Sequence, residues 1–264
     1  MKAGIDAHIH LEKYAPAEQE QMLRDCSRAG VSGMIAVSMD LASAKRTSAL
    51  AKQHPTLVFP AYGYHPEQAV PTPHEQEQLV AWIREHAAEM VAVGEVGLPY
   101  YLRQEMEEKG KAFASEPYIE LLDTFIRLAK ELDKPIVLHA VYDDAAIACD
   151  LLEKHGVNRA HFHWYKGPIE TTERMIRNGY HISLTPDVLY EPDIQELASL
   201  YPLSQLMVET DGPWPFEGPF AGKMTHPAMI ADVVAKLAEL KGLANEQIAE
   251  RIYANTCAFY RIKE

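Results

Sequence analysis

Two histidines near the start of the sequence, His8 and His10, are separated by a single residue in the segment Asp6-Ala7-His8-Ile9-His10. On a β-strand, residues two apart point to the same side, so both imidazoles can contact one cation. Imidazole nitrogens commonly bind divalent metals such as zinc. Two buried, hydrogen-bonded histidines give the same pattern, so the pair predicts a metal site only if further ligands converge on it.

Four more residues of metal-binding type stand at or just after the ends of short apolar segments. They are Glu95, His139, His163 and Asp211. A carboxylate within an apolar segment, such as Glu95, is rarely buried without a partner. Taken singly, each of the two histidines is more often structural, and the aspartate suits a turn before Gly212-Pro213. Their shared position at strand ends favours a common site instead.

These six residues predict a pair of divalent cations. Two dications ~3.5–4 Å apart repel each other by roughly 19 kcal/mol even at an effective dielectric of ~20, so an anion must lie between them. Glu95 is the candidate bridge, beside a bridging hydroxide. A bound metal lowers the pKa of its water to about 7, and we expect Asp211 to bind metal and to take a proton from that water as general base.

The chain around these residues alternates short apolar segments with longer amphipathic ones, and such alternation predicts a parallel sheet. The predicted strands are Gly4–His10, Gly33–Ser38, Leu57–Gly63, Met90–Glu95, Pro135–His139, Arg159–His163, Tyr180–Leu184 and Gln205–Glu209. The predicted helices are Ala17–Ala29, Leu41–Gln53, His74–Ala88, Pro117–Leu132, Asp143–His155, Ile169–Asn178, Pro192–Leu200, Pro227–Lys241 and Asn245–Ala254. The polar segment Leu98–Ser115 is interpreted as a charged loop, with a mobile lid as the alternative.

Eight strands alternating with helices predict an α/β protein, a (β/α)₈ TIM barrel that forms a single domain over residues 1–264. An open, doubly wound sheet is the alternative. Neither a Gly-x-Gly-x-x-Gly motif after the first strand nor a phosphate-binding loop is present to favour it. In a barrel, the carboxyl ends of the strands form one rim that carries the active site. The six residues would therefore meet there.

The net charge of −13 weighs against broad binding to nucleic acid, which uses a basic face. Bound cations can still attract a phosphate to an acidic protein. No apolar segment approaches the ~20 residues needed to span a membrane, and the sequence does not begin with a secretory signal. Three scattered cysteines, Cys26, Cys149 and Cys257, fit no disulfide framework. We predict a cytoplasmic protein with no membrane contact and no obligate protein partner.

Other residues are candidates for contact with a substrate at the same rim. His65 follows the third predicted strand, and His226 follows the long loop after the eighth. Three aromatic residues, Trp164, Trp214 and Phe216, could form a wall around a small substrate. Packing within the loops is the alternative interpretation of these rings and is the preferred one.

Taken together, these segments resemble the successive motifs of the TatD family, in the same order and across nearly the whole chain. Asn255 also fits the end of the family pattern. The matching segments are Asp6-x-His8-x-His10, Gly63-Tyr64-His65-Pro66, Gly94-Glu95-Val96-Gly97-Leu98, Leu138-His139, His163-x-x-x-Gly167 and Glu209-Thr210-Asp211-x-Pro213.

The resemblance implies an amidohydrolase-type barrel with two divalent metals that hydrolyses phosphodiester bonds, typically as a DNase. It implies that His8, His10 and Asp211 bind the first metal, and that Glu95 bridges the pair. The second metal would be bound by His139 and His163. We expect zinc, with magnesium or manganese as alternatives.

The sequence departs from the family pattern around the substrate. Pro99 replaces an aspartate after the glutamate motif, and Val141 replaces a basic or polar residue. Lys166 stands where the family has a small hydroxyl residue, which makes it a candidate substrate contact. The usual Arg-Asn-Glu-Pro reads Met224-Thr225-His226-Pro227. The predicted ligand set is complete, but these departures weigh against DNA as the substrate.

The leading hypothesis is a dinuclear hydrolase in which a metal-bound hydroxide attacks a phosphoester, in a small molecule or in nucleic acid. The first alternative is an amidohydrolase-like enzyme acting on a small carbonyl ester, lactone or amide, because such a substrate needs no basic residues for phosphate. The second alternative is a binding protein without catalytic activity that holds a structural metal. The complete ligand set, with a candidate base, disfavours it.

Overall fold

Eight parallel strands form one sheet, in the order in which they occur in the sequence. The computed structural model describes residues 4–263. The strands are β1 (Gly4–Ile9), β2 (Val31–Ala36), β3 (Val58–Tyr62), β4 (Ala92–Gly97), β5 (Ile136–His139), β6 (Ala160–Phe162), β7 (His181–Leu184) and β8 (Leu206–Val208).

Backbone hydrogen bonds join the end of the sheet to its beginning. Just beyond β8, the Asp211 amide donates a hydrogen bond to the His8 carbonyl at 2.9 Å, and the His10 amide donates one to the Gly212 carbonyl at 2.8 Å. These bonds bring the segment after β8 against β1. The predicted fold class, a (β/α)₈ barrel, is confirmed.

Helices follow the strands and cover the outside of the barrel. Several begin with side-chain caps; Asp40, for example, accepts a hydrogen bond from the Ser43 amide at 2.7 Å at the start of the second helix. The helices are α1 (Pro16–Ala29), α2 (Leu41–Gln53), α3 (Pro73–Glu85), α4 (Tyr100–Glu108), α5 (Glu116–Glu131), α6 (Asp144–His155), α7 (Ile169–Arg177), α8 (Pro192–Leu200), α9 (Ile230–Lys241) and α10 (Asn245–Tyr260).

Two parts of the structure differ from the sequence prediction. Helix α4 lies within the segment Leu98–Ser115, which was predicted to be a loop or lid. None of its residues is buried, so it lacks the apolar periodicity that reveals a helix in a sequence. Helix α10 continues to Tyr260, six residues beyond its predicted end, because Phe259 and Tyr260 are buried against the barrel.

The inside of the barrel is filled by apolar side chains. One buried cluster combines residues from β1 to β5 with Met207 of β8 and the end of α10. Strands on opposite sides of a barrel can share a cluster only through its interior. A buried polar contact lies in the same region: the ring of His161 is 2.7 Å from the Tyr260 hydroxyl and 2.5 Å from Ser183 Oγ. His161 is therefore a core residue.

The structure tests in part the predictions that the chain has no membrane-spanning segment and no disulfide framework. Between residues 4 and 263, no helix is long and apolar enough to cross a membrane. The three cysteines are all buried, and none of them forms a disulfide bond within the described residues. The cytoplasmic location stays a prediction.

Candidate metal centre

The six predicted ligands come together at the carboxyl ends of the strands. His8 lies in β1 and His10 directly follows it, Glu95 lies in β4, and His139 ends β5. His163 and Asp211 follow β6 and β8. All six are at least nine-tenths buried. The strand ends therefore gather imidazoles and carboxylates from the whole length of the chain into one buried cluster.

One oxygen of Glu95 faces a first group of donors. Glu95 Oε2 lies 3.1 Å from His8 Nε2 and 3.2 Å from His10 Nε2. Asp211 Oδ1 lies 3.4 Å from His8 Nε2 and 3.5 Å from His10 Nε2. Two imidazoles and two carboxylates thus direct one atom each towards a common point.

The other oxygen of Glu95 faces a second group. Glu95 Oε1 lies 2.8 Å from His163 Nε2 and 3.1 Å from His139 Nδ1. These two ring nitrogens are 3.1 Å apart. His65 Nε2 approaches the same oxygen at 3.4 Å. A carboxylate whose two oxygens face separate donor groups has the arrangement of a bridge between two cations.

The donor set fits divalent cations better than it fits hydrogen bonding alone. Among the described residues, His8 Nε2, Glu95 Oε2 and Asp211 Oδ1 are buried without a hydrogen-bond partner. An unsatisfied buried polar group costs about 1–3 kcal/mol, and three lie within one small volume. The ligand atoms of His8, His10 and Asp211 are all within 4.8 Å of one another. Nitrogen and oxygen donors of this kind suit zinc.

The neutral ring of His65 carries its proton on Nε2, the nitrogen that faces the cluster. The Glu67 amide donates a hydrogen bond to His65 Nδ1 at 3.1 Å, so Nδ1 accepts and the neutral ring carries its proton on Nε2. Burial lowers the pKa of His65 to about 4, despite the attraction of Glu95, and the ring is neutral at pH 7. His65 Nε2 is therefore a hydrogen-bond donor at the centre, which suits a substrate contact better than a metal ligand.

Two glutamates that the sequence did not assign to the site support the histidines from outside. Glu67 Oε1 lies 3.1 Å from His139 Nε2. Glu209 Oε1 lies 3.6 Å from His163 Nδ1 and accepts a hydrogen bond from the Trp164 amide at 2.7 Å. Such outer carboxylates orient metal-binding imidazoles. The sequence could have indicated both glutamates by their proximity to candidate site residues, because Glu67 is two residues after His65 and Glu209 is two residues before Asp211.

Three residues next to the cluster have left-handed backbone conformations. They are Tyr142 (φ 51°), Trp164 (φ 39°) and Asp211 (φ 46°). A residue other than glycine in this region costs about 1–3 kcal/mol and is concentrated at functional sites. Trp164 follows His163, and Asp211 is itself a candidate ligand, so two of these conformations occur within the candidate site.

The charges of the cluster set its protonation. Burial opposes a proton on His139, but the carboxylates of Glu67 and Glu95 outweigh it and raise the pKa of this imidazole to about 9. Burial raises the pKa of Asp211 to about 6, against the attraction of His163 and His10. Burial also disfavours the charged form of Glu95, yet the surrounding imidazoles hold its pKa well below the usual value.

A cavity of about 1060 Å³ opens above the cluster. It is lined by His10, His139, His163 and Asp211 at its base and by residues of the surrounding loops. Of the predicted substrate contacts, His65 and Lys166 line it. His226 is not part of the lining; its Nδ1 accepts a hydrogen bond from the Ala228 amide at 3.0 Å and caps a short 3₁₀ turn.

The sequence and fold both match known proteins. A family model described as "TatD related DNase" matches residues 5–261. An uncharacterized metal-dependent hydrolase from Haemophilus influenzae is 40% identical over 258 residues, covering 98% of this chain and 99% of the relative.

More distant relatives include one with a named activity and one with a crystal structure. Human deoxyribonuclease TATDN3 is 26% identical over 257 residues, covering 93% of this chain and 90% of the relative. The crystal structure of YjjV, a TatD homologue from Escherichia coli, superposes with a TM-score of 0.84 at 27% identity, covering 99% of each chain. The similarity therefore extends over nearly the whole chain.

Proposed function

Because this chain belongs to the TatD family of metal-dependent hydrolases, we propose that it hydrolyses a phosphoester at a centre of two divalent cations. One observation carries the dinuclear part of the proposal: the two oxygens of Glu95 face two different groups of donors. His8, His10 and Asp211 would hold the first cation, and His139 and His163 the second, with Glu95 shared by both. Zinc suits these donors, and magnesium or manganese are the alternatives.

When bound, such a pair of cations polarises the phosphoryl group and lowers the pKa of water at the centre. Asp211 is placed to accept the proton of the attacking water, because this residue lines the cavity beside the other candidate ligands. With a pKa of about 6 it is a carboxylate at neutral pH. In this proposal His65 Nε2, which lies 3.4 Å from Glu95 Oε1, donates a hydrogen bond to a phosphoryl oxygen. Lys166, also in the lining, binds the substrate at the wall of the cavity.

The relatives support a phosphoester more than a carbonyl substrate. The family model carries DNase in its description, and the human relative is named a deoxyribonuclease. DNases cleave phosphodiester bonds, so the chemistry of the centre needs no change for this chain to act on a phosphoester. Membership in a hydrolase family also disfavours a binding protein that only holds a structural metal.

One observation keeps a carbonyl ester, lactone or amide as the second candidate. Two lysines line the cavity, Lys13 and Lys166, and Lys166 Nζ already lies 3.4 Å from Asp187 Oδ2. A phosphate dianion would therefore find few free cationic side chains. A neutral ester would not require them.

The substrate class is tested by comparing bis-p-nitrophenyl phosphate with a panel of carbonyl esters and lactones on one metal-loaded preparation. We expect turnover of the phosphodiester and about two metal ions per chain by elemental analysis. Turnover of lactones alone would reject the phosphoester. A single metal ion per fully active chain would reject the dinuclear centre.

The role of Asp211 is tested by Asp211→Asn, with the exposed Asp193→Asn of α8 as the matched control. We expect kcat to fall by about 10²–10⁴-fold in the first variant and to stay at the wild-type value in the second. Metal content is measured in the same samples. An unchanged kcat in Asp211→Asn would remove this residue from the mechanism.

A further inference from the structure

We propose that the substrate is a small phosphoester whose organic group is planar and uncharged or cationic, and that this group stacks in an aromatic subsite beside the metal centre. The subsite consists of Trp164, Trp214 and Phe216. The proposal rests on the proposed function for the phosphoester itself. It adds what is attached to the phosphorus and where that group lies.

The three rings form one side of the cavity. The ring centroids of Trp164 and Trp214 are 5.7 Å apart, and those of Trp164 and Phe216 are 5.6 Å apart. All three line the cavity. Phe216 is buried, whereas Trp214 is 56% exposed. A large exposed aromatic ring at the mouth of a cavity leaves apolar surface for a ligand to cover.

Trp164 is held in a fixed position. Its amide donates to Glu209 Oε1 at 2.7 Å, and its indole Nε1 donates to Asp187 Oδ2 at 2.6 Å. Asp187 is 2% exposed, so this carboxylate is anchored within the protein. Loop packing alone would not require two hydrogen bonds to buried carboxylates from one tryptophan. A ring held in this way offers a rigid face for stacking.

The subsite is adjacent to both halves of the candidate metal centre. Trp164 directly follows His163. The Trp214 amide donates to the Asp211 carbonyl at 3.1 Å. A phosphoryl group at the centre therefore places its organic substituent against these rings. The cavity, about 1060 Å³, is the size that encloses a single small molecule.

The negative charge of the carboxylates at the opening of the cavity disfavours binding of a polyanion. Glu105, Glu191 and Glu217 line the cavity and are exposed. In the described part of the chain, neither Glu191 nor Glu217 takes part in an ion pair, and Glu105 pairs with Lys109. The phosphates that flank the scissile bond of a nucleic acid strand would lie against these carboxylates. A single phosphoester with an uncharged or cationic organic group avoids that repulsion.

The subsite is tested with two phosphonates of similar size that the enzyme cannot hydrolyse, phenylphosphonate and cyclohexylphosphonate. Their binding to the metal-loaded protein is measured by calorimetry. We expect the planar ligand to bind about two- to tenfold more tightly, the size of effect that an aromatic pair provides. In Trp214→Leu, which keeps an apolar side chain but removes the flat ring, the ratio of the two affinities should fall towards one.

Leu243→Ala is the matched control, because Leu243 is also an exposed apolar residue but lies outside the cavity. It should keep the wild-type ratio. Equal affinities for the two phosphonates in the wild-type protein, or an unchanged ratio in Trp214→Leu, would overturn the subsite. If the planar ligand is preferred but no phosphoester is turned over, the proposed function fails and the subsite stands. If phosphoesters are turned over without a preference for the planar ligand, only the subsite fails.

Discussion

Glu67 shows how a residue outside the candidate ligand set can control one inside it. Its carboxylate accepts hydrogen bonds from the Tyr101 amide at 2.9 Å and the Leu102 amide at 2.6 Å, and it contacts His139 Nε2 at 3.1 Å. In the ring that would bind a cation, a proton on Nε2 donated to Glu67 leaves the Nδ1 lone pair of His139 directed at the centre. Glu67 therefore fixes both the tautomer and the orientation of this ring.

We expect Glu67→Gln to weaken metal binding about 10- to 100-fold at the cation site of His139, because an amide orients the imidazole less strongly than a carboxylate. The affinity is measured by competition with a coloured chelator. Glu77→Gln, an exposed change on α3, is the control. Equal affinities in the two variants would show that Glu67 does not support the ligand.

Metal binding should also depend on pH. The raised pKa of His139, about 9, means that its ring is protonated at pH 7 when no cation is bound. A cation must displace that proton, so the affinity rises with pH by up to about tenfold per unit and levels off above pH 9. Titrations with zinc between pH 6 and 10 measure this. An affinity that is flat from pH 6 to 9 would contradict it.

For single residues, the sequence indicated which candidate ligands lie at the strand ends. It did not indicate which neighbouring residues orient those ligands. His8, Glu95 and Asp211 could be placed at one rim because a parallel barrel brings its strand ends together. Beyond its place two residues after His65, nothing in the sequence indicated a role for Glu67, because two of its partners are backbone amides of α4, a helix that the sequence did not predict. Whether the six residues bind metal stays a prediction for the metal analysis described above.

Helix α4 is the element in which local sequence and final structure disagree most. Its first-turn amides bind Glu67, and Arg103 Nη1 pairs with Asp144 Oδ1 at 2.8 Å at the start of α6. Asp144 is 1% exposed. These two polar contacts hold the helix over the cavity together with a few partly buried apolar contacts, such as that of Leu102 with the core. Patterns of hydrophobicity cannot reveal such an element, whereas they did reveal the amphipathic helices around the barrel.

We expect Arg103→Ala to lower the free energy of unfolding by about 3 kcal/mol, because it leaves a buried carboxylate without its cation. Urea denaturation measures the loss. Arg127→Ala is the control, since Arg127 pairs with Asp123 on the surface of α5, and such pairs contribute about 0–1 kcal/mol. Similar losses in the two variants would show that α4 is not held by this ion pair.

For the whole molecule, charge is the property that most restricts the choice of substrate. The net charge of −13 and the acidic mouth of the cavity both repel a nucleic acid strand. The fold alone does not settle this, because the relatives include a protein named as a deoxyribonuclease. The barrel could be predicted from the alternation of strands and helices, but the cavity could not, since loops from distant parts of the chain form its walls.

We expect weak binding of single-stranded DNA near physiological salt, and an affinity several-fold higher in Glu191→Lys/Glu217→Lys, with a steeper dependence on salt. Fluorescence anisotropy of a labelled oligonucleotide measures both. The control is Glu120→Lys/Glu246→Lys, which makes the same change in net charge on α5 and α10. If the control gains as much as the variant at the mouth, overall charge rather than the mouth governs binding.

The hydrogen bonds that join His8 to Asp211 and His10 to Gly212 determine when, during synthesis of the protein, this part of the site can assemble. The donors that would hold the first cation are His8 and His10, near the beginning of the chain, and Asp211, more than 200 residues later. During translation, the emerging polypeptide therefore cannot assemble that group until its last strand has left the ribosome and closed the barrel. If this group binds a metal ion as proposed, the ion can be acquired only late in biogenesis, and a prematurely terminated product lacking Asp211 would be unable to complete the site.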